Sequence, residues 1–232
     1  MGSRIPSVRR AVILAAGKAT RLGGTNKLLV EAGGVPAHRW HERLLRGIPT
    51  TIVTRTDDVK AVAEATPWAR VIAHDETDGP VGALRAYLSI TRWPAEETIV
   101  LFADTLLAPQ PLPEGSWVGV APAPARTWDL PSRWGWTRGK PYLAVCVGIY
   151  AFAYPERLYA AIRAMAIGPE VPFSDLLQRY ASDTQLHQNT VRGWHDAGDP
   201  AAIAAVPDFE NVLSEDPPKS DVVGWVETAL TR

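Results

Sequence analysis

The sequence of 232 residues contains one cysteine, almost no net charge and no long apolar run. The single cysteine, Cys146, excludes an intrachain disulfide and a cysteine-rich metal site. A formal net charge of -1 provides no general attraction to nucleic acid or to an anionic membrane. The basic first ten residues lack the apolar segment of a signal peptide, and no segment is long enough to span a membrane. We therefore expect a cytoplasmic protein that binds neither nucleic acid nor membrane; whether it forms a homo-oligomer stays open.

Short apolar runs alternate with longer amphipathic segments along the first half of the chain. The runs at 11–16, 50–55, 69–74 and 98–104 predict strands, and the segments at 35–47, 57–66 and 79–90 predict helices. This alternation favours an α/β fold with a mostly parallel sheet and helices on both faces. Ligands of such sheets bind at the carboxyl ends of the strands.

The second half is less regular. Residues 108–116 and 121–141 are rich in proline, and the second segment is also rich in tryptophan and arginine, which predicts ordered loops that cover a site. A long strand is predicted at 142–152 and helices at 155–166, 172–181 and 201–206. We expect one domain over residues 1–206 and a C-terminal tail or helix of unknown role over residues 207–232.

The first predicted strand runs into a glycine-rich loop that carries Lys18, Arg21 and Lys27. The glycines of the loop, Gly17, Gly23 and Gly24, would allow the backbone N–H groups to approach a phosphate closely. Arginine can bind a phosphate through two parallel hydrogen bonds, and lysine supplies a compact positive charge. The pattern is neither G-x-x-x-x-G-K-[ST] nor G-x-G-x-x-G. By itself the loop fits a polyphosphate cradle and a solvated surface turn equally well.

Carboxylates form the second group of candidates. Asp104 ends an apolar strand, where oxygen ligands suit Mg²⁺ bound together with substrate phosphates, although an acid there also caps turns. Asp196 lies outside the following helix and is free to be a second ligand of the same ion. Asp199 precedes Pro200 at a helix start, and we interpret it as an N-cap.

Other reactive side chains receive structural interpretations. His38 and His41 lie one turn apart without a third ligand and are expected on a solvated helix face. His195 is expected to pack or to form a hydrogen bond. Cys146 lies in an apolar run and is expected to be a buried, inert thiol.

Five segments of residues 11–206 occur in an order that is typical of one protein family. They are "LAAGKATRLGGTNKLLV", "DGPVGALRAYL", the strand that ends at Asp104, "VGIYAF" and "WHDAGDPAAIAA". In this order they resemble the nucleotidyltransferases that include the sugar-1-phosphate nucleotidylyltransferases, which are related to small cytidylyltransferases and molybdenum-cofactor guanylyltransferases. The resemblance implies a Rossmann-like three-layer α/β/α sandwich.

The resemblance also implies a function and roles for individual residues. It implies a Mg²⁺-dependent enzyme that transfers NMP from an NTP to a sugar 1-phosphate and releases pyrophosphate. Arg21 and Lys27 would be catalytic, Asp104 and Asp196 would hold Mg²⁺, and Lys140 and Gly148 would contact the acceptor. The nucleotide would be bound by Leu14, Ala15, Ala16, Gly17, Gly79 and Gly82.

Departures from the family pattern leave the acceptor open. Ala19 replaces the second glycine of the signature, Asn26 replaces the usual proline before the lysine, and Gly139 stands where a glutamate is expected. One alternative is a cytidylyl- or guanylyltransferase for a non-sugar phosphate, such as a phosphocholine-like ester or a pterin cofactor. Another is a non-catalytic nucleotide-binding subunit. Four tryptophans have two interpretations. They could form an aromatic cage, which would favour a quaternary ammonium acceptor, or they could pack under the loops; they are Trp117, Trp128, Trp134 and Trp136.

Overall fold

The structure is a computed structural model that describes residues 9–75, 79–91, 97–121, 130–132, 135–137, 145–165 and 171–214. Its strands are β1 (Arg9–Ala15), β2 (Glu31–Ala32), β3 (Val35–Pro36), β4 (Thr50–Thr54), β5 (Arg70–Ala73), β6 (Glu97–Phe102), β7 (Thr105–Leu106), β8 (Trp117–Ala121), β9 (Leu130–Ser132), β10 (Gly135–Thr137), β11 (Val145–Phe152), β12 (His187–Thr190) and β13 (His195–Asp196). Its α-helices are α1 (Ala37–Leu44), α2 (Val59–Ala65), α3 (Gly79–Ile90), α4 (Pro155–Arg163), α5 (Phe173–Ala181), α6 (Pro200–Ala204) and α7 (Phe209–Ser214).

The central sheet has seven strands in the order β12-β8-β11-β6-β1-β4-β5. β1 lies between β6 and β4 and is parallel to both, and the pairs β4/β5 and β8/β12 are also parallel. β11 runs antiparallel to β6 and β8. The predicted, mostly parallel α/β sheet is therefore confirmed. Because β1 and β6 are neighbours, the loop after Ala15 and the acid after Phe102 start from the same edge.

Helices cover both faces of this sheet. Alternate residues of β1 point to opposite sides: Val12 and Leu14 pack in a core with α3, α4 and α5, while Ala11 and Ile13 pack in a second core with α1 and α2. This arrangement is the three-layer sandwich that the resemblance implies. Among the described residues, no helix combines the length and the apolar character needed to cross a membrane.

The segment predicted as a loop at 121–141 contains the short strands β9 and β10, and two strands of the central sheet, β8 and β12, were not predicted from the sequence pattern. β8 is buried along its whole length, and β12, with the sequence HQNT, pairs with it at the edge of the sheet. Neither strand alternates apolar and polar residues, because β8 has both faces covered and β12 is an edge strand. Trp117 begins β8, is 2% exposed and donates its indole N–H to the carbonyl of Pro113 at 2.9 Å. It packs in the core and is not part of an aromatic cage, whereas Trp128, Trp134 and the side chain of Trp136 lie outside the described residues.

The chain end that the structure describes packs against the domain. Phe209 contacts Trp40 with ring centroids 4.9 Å apart, and its N–H donates to the carbonyl of Gly33 at 2.9 Å. Gly33 has a φ of 63°, and a Cβ there would lie 2.2 Å from the carbonyl oxygen of Pro207, so only glycine fits. As expected, Asp199 caps α6, since its carboxylate accepts the N–H of Ala202 at 2.9 Å.

Candidate active site

Two adjoining cavities, each of about 520 Å³, open at the carboxyl ends of β1 and β6. The first cavity is walled by the end of β1 and the start of α3, and the second by the loop after β1, by β11 and by the segment at 194–198. Five residues line both cavities: Gly17, Lys18, Lys27, Phe102 and Asp104. A molecule in one cavity would therefore meet a molecule in the other across the side chains of Lys27 and Asp104.

The structure brings most of the predicted nucleotide-binding residues to the first cavity. Leu14, Ala15, Ala16, Gly17 and Gly79 line it, whereas Gly82 is buried within α3 and does not. Arg21 is exposed and lines the second cavity instead. Lys140 lies outside the described residues, so its predicted acceptor contact stays a prediction.

The loop after β1 turns tightly through Ala19, Gly23 and Gly24. All three have positive φ, and Ala19, at φ 47°, is the only non-glycine residue of the described chain in that region. The carbonyl of Ala19 accepts the N–H groups of Leu22 at 2.9 Å and of Gly24 at 3.1 Å. A residue with a Cβ thus occupies a conformation that glycine adopts more easily.

Ala19→Gly should raise the free energy of unfolding by about 0.5–1 kcal/mol, because relief of left-handed strain outweighs the greater flexibility of glycine in the unfolded chain. Urea denaturation checks this. Ala61→Gly, at an exposed position within α2, is the matched control and should lower stability by about 1 kcal/mol. Equal losses at both positions would contradict the strain argument.

Lys27 and Asp104 form an ion pair between the two cavities. The Lys27 Nζ atom lies 2.5 Å from Asp104 Oδ2, and the side chains are 27% and 26% exposed. Asp104 lies two residues after the end of β6, while Lys27 begins a 3₁₀ turn over Lys27–Leu29. Residues 77 positions apart in the chain are thus in direct contact at the sheet edge.

Asp196 joins this pair through backbone pairing. β13 pairs with β7, which sets Asp196 opposite Thr105, and the N–H of Ala197 donates to the carbonyl of Asp104 at 2.8 Å. A Cβ added to Gly198 would lie 2.9 Å from Asp196 Oδ1 and 3.6 Å from Asp104 Oδ2. The two carboxylates therefore converge on one place, which a larger residue at position 198 would fill.

The electrostatics of Asp196 fit a cation at this place. Burial raises the pKa of its carboxyl, and the negative charge of Asp104 raises it further, against the opposing effects of the Gly198 N–H and of Lys27. A dication would relieve this repulsion. In the described part of the chain no three ligating side chains cluster. Two carboxylates supplemented by substrate phosphates are nevertheless the donor set that Mg²⁺ uses.

Gly148 shapes the wall of the second cavity. It has a φ of 77°, and a Cβ there would lie 2.3 Å from Thr105 Oγ1. The register of β11 against β8 shifts between Cys146 and Tyr150, so Gly148 lies in a bulge of the strand. Cys146 is half-buried and lines the cavity, and burial raises the pKa of its thiol to about 12. The thiol is protonated at neutral pH and, as expected, a poor nucleophile.

The expectation for His38 and His41 was wrong. Both are buried, at 7% and 1% exposure, in the helix α1, which packs against the Lys27–Leu29 turn, β3 and β7. His41 Nε2 lies 3.1 Å from the carbonyl oxygen of Thr105, the residue after Asp104. Its position one residue after the buried Trp40 and three before Leu44 was the signal, since these residues form the apolar stripe of α1.

Stability should fall on acidification because of His41. Burial lowers its pKa from 6.5 to about 4, against the opposing effects of the Thr105 and Phe102 carbonyls. Between pH 6.5 and about pH 4, His41 is therefore protonated in the unfolded chain but neutral in the folded chain. The contribution of His41 is therefore complete above pH 6.5 and is lost as pH falls to 4, by about 3 kcal/mol. Urea denaturation at pH 7 and 4.5 should show a smaller loss for His41→Gln than for the unchanged protein; equal losses would contradict this assignment.

Polar residues that sequence reasoning did not select also line or support the site. Arg55 follows β4 and Asp75 follows β5, and both line the first cavity. Asp75 accepts the Thr56 N–H at 2.7 Å. Asn26 is buried beside the loop and forms four hydrogen bonds. The signal for these two residues was their place at the carboxyl ends of predicted parallel strands, since Arg55 ends one and Asp75 directly follows another.

Comparisons with known proteins agree with this geometry. Residues 11–180 match the family described as "MobA-like NTP transferase domain". No curated protein sequence matches the chain significantly. Among solved structures, the chain is similar to a protein described as a glucose-1-phosphate thymidylyltransferase from Bacillus anthracis, with 17% identity, a TM-score of 0.71 and coverage of 91% of this chain and 98% of that one.

Two further structures share the fold. The inositol-1-phosphate CTP transferase from T. maritima has 15% identity and a TM-score of 0.66, with coverage of 90% of this chain and 96% of that one. The nucleoside-diphosphate-sugar pyrophosphorylase from Vibrio cholerae RC9 has 15% identity and a TM-score of 0.62, with coverage of 88% and 100%.

Proposed function

Because the chain belongs to the family of MobA-like NTP transferase domains and is a nucleotidyltransferase, we propose that it transfers NMP from an NTP to a sugar 1-phosphate with Mg²⁺. The observation that carries the proposal is the Lys27–Asp104 ion pair at the junction of two cavities, with Asp196 facing the same place. One cavity suits the nucleotide and the other suits the acceptor, so the reacting groups would meet at charged residues.

In this proposal the nucleotide occupies the first cavity. Its base and ribose lie between the end of β1 and the start of α3, where Leu14, Ala15 and Gly79 form the wall. The triphosphate follows the loop from Gly17 onward, whose open backbone offers N–H groups. Where the triphosphate extends along the loop toward the second cavity, Lys18, which lines both cavities, and Arg21, which lines the second, supply positive charge for the β- and γ-phosphates.

The transfer itself is an in-line substitution at the α-phosphorus. An oxygen of the acceptor phosphate forms the new bond, the bond to the bridging oxygen of the β-phosphate breaks, and pyrophosphate leaves with that electron pair. The acceptor phosphate is already ionised at neutral pH, so no residue needs to remove a proton. Lys27 would hold the α-phosphate and the acceptor phosphate together and neutralise the charge that develops between them. Asp104 and Asp196 would hold Mg²⁺, which supplies charge neutralisation at the phosphates.

The described wall of the second cavity favours one alternative acceptor. Beyond the loop and the two acids it includes the apolar and aromatic residues Phe102, Cys146, Val147, Tyr150 and Trp194, beside Thr105, Gly148 and Gly198. The aromatic residues of this wall suit contact with a planar ring. A cytidylyl- or guanylyltransferase for a non-sugar phosphate, such as a pterin cofactor, is therefore the second candidate.

One screen distinguishes these functions. Each of the four NTPs is incubated with Mg²⁺ and with sugar 1-phosphates, inositol 1-phosphate, phosphocholine or a phosphorylated pterin, and released pyrophosphate is measured. Release with a sugar 1-phosphate supports the proposal, and release only with a non-sugar ester supports the alternative. Tight binding of Mg²⁺-NTP without pyrophosphate from any pair would favour a non-catalytic nucleotide-binding subunit and overturn the proposal.

A further inference from the structure

Asn26, the residue before Lys27, is buried at 2% exposure although its neighbour Thr25 is exposed. Its side chain points beneath the loop, between the ends of two central strands. Its Nδ2 atom lies 2.8 Å from Thr54 Oγ1 and 3.3 Å from the carbonyl oxygen of Ala15. Ala15 and Thr54 are partners in the last pair of the β1–β4 ladder. Asn26 therefore holds the loop to the end of that ladder.

The two ends of the Asn26 amide have different roles. Its Oδ1 accepts the N–H of Leu28 at 3.1 Å and so caps the 3₁₀ turn that begins at Lys27. A cap needs only this oxygen. The nitrogen, by contrast, reaches three acceptors, since Asp58 Oδ2 lies 3.0 Å away in addition to Thr54 and Ala15. The backbone of Lys27 is thus fixed from both sides.

Asp58 extends this attachment to the other part of the loop. Its Oδ2 also accepts from Arg55 Nε at 2.7 Å, and Arg55 Nη2 donates to the carbonyl of Gly24 at 2.8 Å. Arg55 lines the first cavity. Gly24 and Asn26, on the two sides of Thr25, are therefore held by one hydrogen-bonded group from the segment after β4.

We propose that Asn26 is a positioning residue for nucleotidyl transfer: its buried amide fixes the turn that places the Lys27 ammonium between the two cavities. A lysine side chain has four flexible bonds, so the place of its ammonium depends on how firmly its own backbone is held. The inference rests on the proposed function in assigning Lys27 to the transfer step. Displacement of a reacting group by about 1 Å costs on the order of 100-fold in rate.

Asn26→Asp is the principal test, because it keeps the shape of the side chain and replaces the amide nitrogen by an oxygen. That oxygen would face the Asp58 carboxylate and could no longer donate to Ala15. The reversed pair Asn26→Asp/Asp58→Asn again has one amide and one carboxylate, with the net charge of the unchanged pair. Thr54→Val removes one acceptor without changing charge. If Asn26→Asp does not fold, Thr54→Val provides a second test of the proposal.

Two measurements report on the position of the Lys27 side chain. The first is the rate of pyrophosphate release, analysed as kcat and KM for the NTP. The second does not need turnover: labelling of lysines by an amine-reactive ester, mapped by mass spectrometry, compares Lys27 with the exposed Lys60 as an internal reference. Ser116→Ala is the matched control, since it removes a buried hydroxyl that contacts the Tyr180 hydroxyl at 2.8 Å, outside both cavities.

We expect Asn26→Asp to lower kcat about 10- to 100-fold and to raise the labelling of Lys27, and the reversed pair to recover part of both. Thr54→Val should shift both readouts in the same direction by less, and Ser116→Ala should change neither. Unchanged kcat and labelling in Asn26→Asp or Thr54→Val, with only stability reduced, would overturn the proposal. If the unchanged protein releases no pyrophosphate with any acceptor, the proposed function fails, while the labelling still decides the role of Asn26.

Discussion

Replacing Asp104 by asparagine should lower the rate of pyrophosphate release by about 10³-fold, because removal of one preorganised electrostatic group from a transfer site costs 10²–10³. The substitution removes a carboxylate that faces Asp196 and pairs with Lys27. It would leave the proposed Mg²⁺ site with one carboxylate and the Lys27 ammonium without its ionic partner. The measurement is kcat at saturating NTP and acceptor over a series of Mg²⁺ concentrations, where the variant should need more Mg²⁺ for half of its maximal rate.

Asp199→Asn is the control for this substitution. It neutralises a second acid of the same region that caps α6 and lines neither cavity, and asparagine caps helices equally well. Its kcat should stay near that of the unchanged protein. Near-normal turnover of Asp104→Asn, with unchanged dependence on Mg²⁺, would show that Asp104 does not hold the ion.

Lys27→Met should lower kcat by about 10²–10³, since methionine keeps the length of the side chain but removes the charge that would stabilise the transition state. The KM for the NTP should rise less than kcat falls, because the proposed contact strengthens as charge develops between the two phosphates. Steady-state kinetics with the best pair from the NTP and acceptor screen measures both quantities.

Lys60→Met provides the comparison for Lys27. Lys60 is an exposed lysine of α2, so its replacement removes the same charge from the chain without touching either cavity. Turnover of Lys60→Met should be normal. If both variants lost activity equally, the effect would come from overall charge, and Lys27 would have no special part in transfer.

The fold was largely predictable because its signals are local. The runs that became β1, β4 and β6 are largely buried parallel strands, and β5 lies parallel to β4 at the edge of the sheet. All four appear in the sequence as short apolar segments between helical patterns. β8 and β12 were not predicted, because one is flanked by proline-rich sequence and the other is a polar strand at the edge. β8 pairs with β11 and β12, which both come later in the chain, and no local pattern records this pairing.

Individual site residues show the same division. Asp104 and Lys27 were selected because a carboxylate after a strand and a lysine in a glycine-rich loop have recognisable neighbours in the sequence. His41 and Asn26 were not, because their roles depend on partners such as Thr105 and Thr54 that are brought to them by packing. A polar residue on an apolar helix face, or in a loop, does not itself reveal that it is buried.

The sequence by itself determined the class of the fold and the loop that borders the cavities, since apolar periodicity and turn residues act within a few positions of each other. Only the tertiary structure decided that two acids 92 positions apart meet and that the loop between Gly17 and Lys27 separates two cavities. The physical reason is the sheet: parallel strands end at one edge, and hydrogen bonds between β7 and β13 then draw Asp196 to Asp104.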